Sequence, residues 1–380
     1  MDALHLLSGD AQAFLDKIWA SHIHVHRTDP ADLVDLLSLD DVDHLLTSTA
    51  LRTPALRLAK NGTVLPQSSF TRSATLAGSP LTGLVDARKV LDLFEDGATV
   101  VLQGLHRYWA PLTSVVRELE LALGHPCQAN AYLTPPASQG FAVHSDTHDV
   151  FVFQTHGSKQ WEVHDDSGAH EVLLEPGTSM YLPAGTPHAA RAQDTASLHV
   201  TIGINQITWR QMLQNVVTGL LRDEAYDAPV PAGYLGRDTG LASDFVTGLA
   251  HHVRELATGL NTVDPEALVD QQVSRFLRSR SPILRGGLRD RLALPDVAPD
   301  TVVSVRPGPT CVLVDRGDQL VVLLGDREIR MPQRLAGPMS YIREQSAPFR
   351  PRDLDAWLDA ESQLVLVRRL LREGLLQVED

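Results

Sequence analysis

Between Gln128 and Ile204 the chain is a succession of short β-branched or aromatic runs cut by glycine and proline turns: NAYLT, VFVFQ, KQWEVH, HEVLL, SMYLP and SLHVTIGI. That rhythm is the signature of an antiparallel barrel or a double-sheet jelly roll of the cupin kind. Such a fold places ligands on inward faces near one mouth. This stretch therefore sets the expected fold class, α+β with a jelly-roll core, and the flanking segments are read around it.

At 380 residues with 43% hydrophobic content, the chain has room for two or three domains with real cores. It has no apolar run of about 18 residues, so no membrane-spanning helix is expected. The opening MDALHLLSGDAQAFLDKIW turns acidic and polar before any apolar core, unlike a signal peptide. The two cysteines, Cys127 and Cys311, lie far apart, which disfavours a disulfide framework or a cysteine zinc site and fits a reducing cytoplasm. A net charge of −14 argues against nonspecific nucleic-acid binding and is compatible with a basic partner.

Before the strand-rich stretch, Phe14, Ile18 and Trp19 share a helical face, and HIHVHR alternates like a surface strand. Helical patterns cover Val85 to Phe94 and Pro111 to Leu123, the second closed by Gly124, with the strand ATVVLQGL between them. After Asn205 the strands stop. Trp209, Met212, Leu213, Val216, Val217, Leu220 and Leu221 form an apolar helical stripe. A second stripe runs through Phe245, Leu249, Val253, Leu256 and Leu260, and a third helix begins at Asp264-Pro265-Glu266. These stripes must be buried on something, and a homodimer interface is the leading expectation over packing within one chain. From about Pro282 a hairpin turning at Arg316-Gly317-Asp318 and a final helix, Asp353 to Arg372, suggest a small winged-helix unit. Its acidic and basic residues nearly balance, so a structural role is expected and no direct DNA binding. The expected organisation is residues 1–205 with the catalytic jelly roll, 206–280 as a helical dimerisation region and 281–380 as the winged-helix-like unit.

The chemistry centres on Asn130 to Trp161. His144 and Asp146 sit two apart in a β-prone run, and in a strand such residues face the same way. They would form two-thirds of a 2-His-1-carboxylate triad. A turn at Pro183-Ala184-Gly185 followed by Pro187-His188 would return His188 to the mouth of the barrel as the third ligand. This donor set suits Fe(II) chemistry with O2, although three protein ligands could also hold zinc or manganese. Lys159 is one of only four lysines and lies in the strand segment GSKQW, 15 residues after His144. A lysine facing a barrel interior is costly unless it meets an anion. The far carboxylate of a 2-oxoglutarate cosubstrate would be such an anion, with Tyr132 or Asn130 beside it.

The motif N-x-Y-x-T-P (Asn130, Tyr132, Thr134, Pro135), the pair His144 and Asp146, Asp149-Val150-Phe151, Gln154, Gly157, Lys159, Trp161 and the late His188 closely resemble the Jumonji C ribosomal oxygenases. The order of jelly roll, helical segment and winged helix is similar too. The resemblance implies a dioxygenase binding Fe(II) through His144, Asp146 and His188, with Lys159 on the 2-oxoglutarate carboxylate and Tyr132 and Asn130 lining the cosubstrate pocket. It further implies O2-dependent hydroxylation of a histidine or arginine in a ribosomal protein, a basic substrate suited to an acidic enzyme. Ser145 and Gly203 depart from the pattern; Gly203 falls where some relatives place a hydroxyl. His148 is out of phase with the His144 face, whereas His199 alternates inward, where a satisfied core histidine competes with a supporting role. The competing functions are hydroxylation of a peptide or amino acid, lysine demethylation, and a metal-binding cupin without oxygenase activity.

Overall fold

The computed structural model of the protein describes residues 2–136, 138, 143–232, 234, 241–308 and 310–379. The chain divides into two units: Met1–Gln206 with Ile283–Pro309 and Glu344–Asp380, and Ile207–Pro282 with Thr310–Arg343. Residues 281–380, expected to stay together, are thus split between them. The final helix is also shorter than expected, Ala360–Glu373, because Pro351–Leu354 forms a separate 3-10 turn ahead of the Asp359 cap.

Through its first 206 residues the first unit contains strands β1 (His24–Arg27), β2 (Leu56–Lys60), β3 (Thr63–Val64), β4 (Thr71–Leu76), β5 (Ser79–Val85), β6 (Thr99–Leu102), β7 (Cys127–Thr134), β8 (Asp149–His156), β9 (Lys159–Asp165), β10 (Gly168–Leu174), β11 (Thr178–Leu182), β12 (His188–Ala192) and β13 (Ser197–Ile204). Eight of them form one sheet in the order β1-β11-β8-β13-β7-β6-β2-β3, and β10-β9-β12 form a second. All the pairings in these two sheets are antiparallel, so the expected cupin-like jelly roll is present.

At β8 and β13 the large sheet is buried on both faces, which explains why β8 reads as a continuous apolar run rather than an alternating one. Phe151 and Phe153 join the main core with Phe14 and Leu4 of the N-terminal helices, while Val150 and Val152 pack with Trp161 and Val163 of β9. Along β13 the division is the same: Val200 and Ile202 enter the main core, and His199 and Thr201 face the space between the sheets. The helix Ala110–Leu123 adds Leu112, Val115, Val116 and Leu119 to the main core and ends, as its sequence indicates, at Gly124 with φ +69°.

Gly157 closes the β8–β9 turn at φ +61°, and a Cβ there would lie 2.0 Å from the Ala196 carbonyl oxygen. Left-handed backbone and backbone collision act together at this position. Gly157→Ala is expected to lower stability by at least ~2 kcal/mol, measurable by chemical denaturation.

In the second unit the helices Trp209–Leu220, Leu241–Asn261 and Pro265–Arg278 accompany strands Val312–Asp315, Gln319–Leu323 and Glu328–Pro332. Asp264 caps the third helix by accepting from Glu266 N–H, with Pro265 in the first turn, as expected. Phe276, Leu277 and Leu323 form its small core with Ile207, Val312, Val314 and Val321 packed around them. Trp209 is 84% exposed and Leu213 60%. Among the described residues no helix is long and apolar enough to cross a membrane.

Candidate active site

A cavity of about 250 Å³ opens between the two sheets. The large sheet contributes Arg57, Thr99, Tyr132, Thr134, His199 and Thr201, and the small sheet contributes Lys159, Trp161 and His188. The alternation of β9 explains this placement: Lys159, Trp161 and Val163 are buried, while Glu162 between them is exposed.

At the mouth His144, Asp146 and His188 come together, one ligand atom from each lying within 4.8 Å of the others. They are not held as a strand of H-x-D would hold them, which corrects the sequence expectation. His144 forms an isolated bridge with His188, His144 N–H donating to His188 O at 3.0 Å and His188 N–H to His144 O at 2.8 Å. Asp146 lies in the loop beyond, outside any strand. Its backbone oxygen accepts from Gly185 N–H at 2.8 Å, so the Pro183–Gly185 turn is tied directly to the ligand loop.

His188 is buried and Asp146 partly exposed, with His188 Nε2 3.9 Å from Asp146 Oδ2. His188 Nδ1 contacts Thr186 O at 2.9 Å, which assigns the proton to Nδ1 and leaves the Nε2 lone pair toward the carboxylate. Burial holds this imidazole below its ordinary pKa despite the Thr186 bond, so it is neutral at pH 7. Two imidazoles and one carboxylate at a half-open mouth suit a divalent metal ion with sites left for other ligands.

Asp149 supports that turn from below. Fully buried, it accepts from Ala184 N–H at 2.7 Å, from Gln206 Nε2 at 2.9 Å and from the Tyr181 hydroxyl. The carboxylate thus anchors the Pro183–Gly185 turn that Asp146 leans on. Asp149→Ala leaves the buried Tyr181 hydroxyl and two partly buried donors, Ala184 N–H and Gln206 Nε2, without their acceptor. It is expected to cost ~3–5 kcal/mol of stability and to weaken divalent-metal binding, checked by denaturation and by cobalt titration of the folded variant.

Deep in the cavity Lys159 is buried, and its Nζ donates to Thr134 Oγ1 at 3.1 Å. Among the described residues no carboxylate pairs with it, and burial pushes its ammonium down to about 7. Above it Tyr132 and His199, directly paired across β7 and β13, stack with ring centroids 4.9 Å apart and 3° between planes. Trp161 meets His199 edge-on at 5.6 Å. Burial first, and the Lys159 charge second, hold His199 well below its ordinary pKa, so it stays neutral. His199 Nδ1 and Trp161 Nε1 are buried with no hydrogen-bond partner among the described residues. A polar, anionic occupant would satisfy Lys159 and offer partners to such atoms, so the residues present fit a dicarboxylate cosubstrate.

Asn130 is placed differently from expectation. It shares the Tyr132 face of β7 but lies outside the cavity lining, and its Oδ1 accepts from Gly104 N–H at 3.0 Å. The hydroxyl that Gly203 lacks is supplied on the same strand face by Thr201, which lines the cavity. Gly203 instead leaves room for His148, whose Nε2 would lie 2.7 Å from an added Cβ. The sequence reading missed Arg57 and Thr99. Arg57 hydrogen-bonds Tyr132 and occupies one row with Val101, Tyr132 and His199 across β2, β6, β7 and β13. The available signal was its alternation in LRLAK, where Leu56 and Leu58 turn the other way into the core.

Residues 111–169 and 164–212, the stretch that holds the jelly roll, the mouth triad and the buried lysine, match the JmjC domain family. Curated proteins similar to this chain include ribosomal oxygenases. Ribosomal oxygenase 1 of Gallus gallus is 28% identical over 294 residues, covering 68% of this chain and 47% of that protein. The bifunctional lysine-specific demethylase and histidyl-hydroxylase NO66 of Branchiostoma floridae is 32% identical over 213 residues, 53% of this chain and 35% of that protein. The chain thus spans half or less of the length of these curated relatives. Among solved structures, the Escherichia coli ribosomal oxygenase YcfD superposes with a TM-score of 0.53 at 18% identity, covering 97% of this chain and 98% of that one. At that identity the likeness establishes the fold.

Proposed function

We propose that the chain is an Fe(II)- and 2-oxoglutarate-dependent dioxygenase that hydroxylates a C–H bond of a protein side chain, with a histidine or arginine of a ribosomal protein as substrate. The observation that carries this reading is the conjunction, in one cavity, of a His-His-Asp mouth with a buried lysine that has no carboxylate partner among the described residues. A metal-only cupin has no use for the lysine. The ribosomal oxygenases that the chain resembles point the same way, and YcfD has been solved in complex with cobalt and 2-oxoglutarate.

In this reading His144, Asp146 and His188 hold the metal, His188 through the Nε2 that its Thr186 contact leaves unprotonated. Lys159 and the Thr134 hydroxyl receive the far carboxylate of 2-oxoglutarate, and the Tyr132 hydroxyl lines the same pocket. Val150, Val152 and Trp161 keep water from the reacting centre. When bound, the iron supplies activation of O2, with 2-oxoglutarate as the electron source and succinate and carbon dioxide as products. The residues of the chain supply orientation and charge.

The helices of residues 206–280 are proposed to pair with a second copy, since Trp209, Leu213, Leu249 and Val253 leave their stripes in solvent. The hairpin strands Val312–Asp315 and Gln319–Leu323 and the helix Ala360–Glu373, in separate units, are proposed to serve structural roles without DNA binding, and the enzyme to work in the cytoplasm, where its substrate is made. The function is tested by mass spectrometry of ribosomal proteins from cells with and without the gene. One protein is expected to lose the mass of a single oxygen atom on deletion; an unchanged set overturns the ribosomal assignment. Demethylation is the outcome if the chain releases formaldehyde from methyl-lysine peptides.

A further inference from the structure

We propose that His251, His252 and Glu255, on the helix Leu241–Asn261, form a second divalent-cation site of the zinc type, separate from the jelly-roll cavity. Helix spacing brings them together: Glu255 follows His251 by four residues and His252 by three, so its carboxylate rises between both rings. Glu255 Oε1 lies 3.4 Å from His251 Nε2, and Oε2 lies 3.7 Å from His252 Nδ1. One ligand atom from each of the three lies within 4.8 Å of the others.

Both separations are longer than the ~2.7–3.2 Å of an N–H···O hydrogen bond. The His251 separation equals the ~3.4 Å between neighbouring ligand atoms of a tetrahedral zinc site with bonds of ~2.0–2.2 Å, and the His252 separation, to the other carboxylate oxygen, is slightly longer. A second observation is independent of that spacing. His252 Nδ1 is buried and has no hydrogen-bond partner among the described residues, while the Tyr226 ring packs against the imidazole at 5.5 Å and 55°. The His252 side chain is 40% exposed, but this nitrogen is shielded from water without a partner, a free-energy cost that a cation at this point would offset. Two nitrogens and one oxygen favour zinc or a similar transition metal over magnesium or calcium, with water in the fourth position. All three ligands come from one helix, so the site requires no other part of the chain to be in place.

The test is zinc titration by calorimetry on the full chain, with circular dichroism as a check on folding. Wild type is expected to bind two equivalents, and Asp146→Ala/His188→Ala to retain one. Adding His252→Ala to that variant should weaken the remaining equivalent by more than the roughly 100-fold that loss of an outer-shell partner can cost. If the double variant does not fold, His252→Ala alone should reduce two equivalents to one while leaving 2-oxoglutarate turnover with iron intact. The proposal is overturned if the double variant binds no zinc, or if its zinc is indifferent to both His251→Ala and His252→Ala.

Discussion

Asp146→Ala is expected to abolish 2-oxoglutarate turnover while leaving the fold intact. Asp146 is the one carboxylate of the mouth triad, and His188 is held neutral by burial. Removing it takes away the anionic ligand and leaves a divalent cation with imidazoles alone. Metal affinity should fall by more than the roughly 100-fold reached when an outer-shell partner is lost. The structural cost is small, because the contribution of Asp146 to the Pro183–Gly185 turn is its backbone oxygen, which accepts from Gly185 N–H and survives the substitution. The measurement is anaerobic titration with Fe(II) and 2-oxoglutarate, following the weak visible absorption of the ternary complex. A band of undiminished strength in Asp146→Ala would remove this residue from the metal site. A normal denaturation midpoint alongside a lost band would separate chemistry from folding.

The sequence revealed those parts of the site whose chemistry is local. Lys159 stood out because a lysine on the inward face of a strand, two residues before Trp161, must meet an anion, and β9 alternates so that it faces inward. His188 could be traced through the proline and glycine turns that bring it back. What escaped notice depends on pairings between residues far apart in the chain. His144 and Asp146 look like strand residues, yet the partner of His144 is His188 in a lone bridge, so their common orientation comes from the Pro183–Gly185 turn and not from strand pleating. Arg57 and Thr99 join the cavity because β2, β6 and β7 lie side by side, an order that no short motif specifies. Asn130 satisfied the face rule and still fell outside, because Gly104 N–H claims its side chain. The same limit applied to the C-terminal region, where hairpin and helix patterns were recognisable but their division between two units was not.

Replacing Lys159 by methionine is expected to stabilise the ligand-free chain and at the same time to destroy its affinity for 2-oxoglutarate. Burial pushes the Lys159 ammonium from 10.5 down to about 7. Between those two values the unfolded chain holds a proton that the folded chain releases, so stability rises with pH across this window and the full penalty is present below about 7. Methionine has similar bulk and no charge. Near pH 7 it should add on the order of a few kcal/mol, and the rise of stability between pH 7 and 10 should flatten. Ligand binding has the opposite sign. A dicarboxylate needs the ammonium form, so above about pH 7 binding must take up a proton, and affinity should fall by up to about tenfold per pH unit. Calorimetry of 2-oxoglutarate binding in two buffers of different ionisation enthalpy reads that proton directly. Lys159→Met should bind weakly and take up no proton, with its metal affinity unchanged, because Lys159 lies outside the His144, Asp146 and His188 cluster. Tight binding by the methionine variant, or wild-type affinity that is flat between pH 7 and 9, would show that the far carboxylate is held elsewhere, with Arg57 the next cation in the cavity to test.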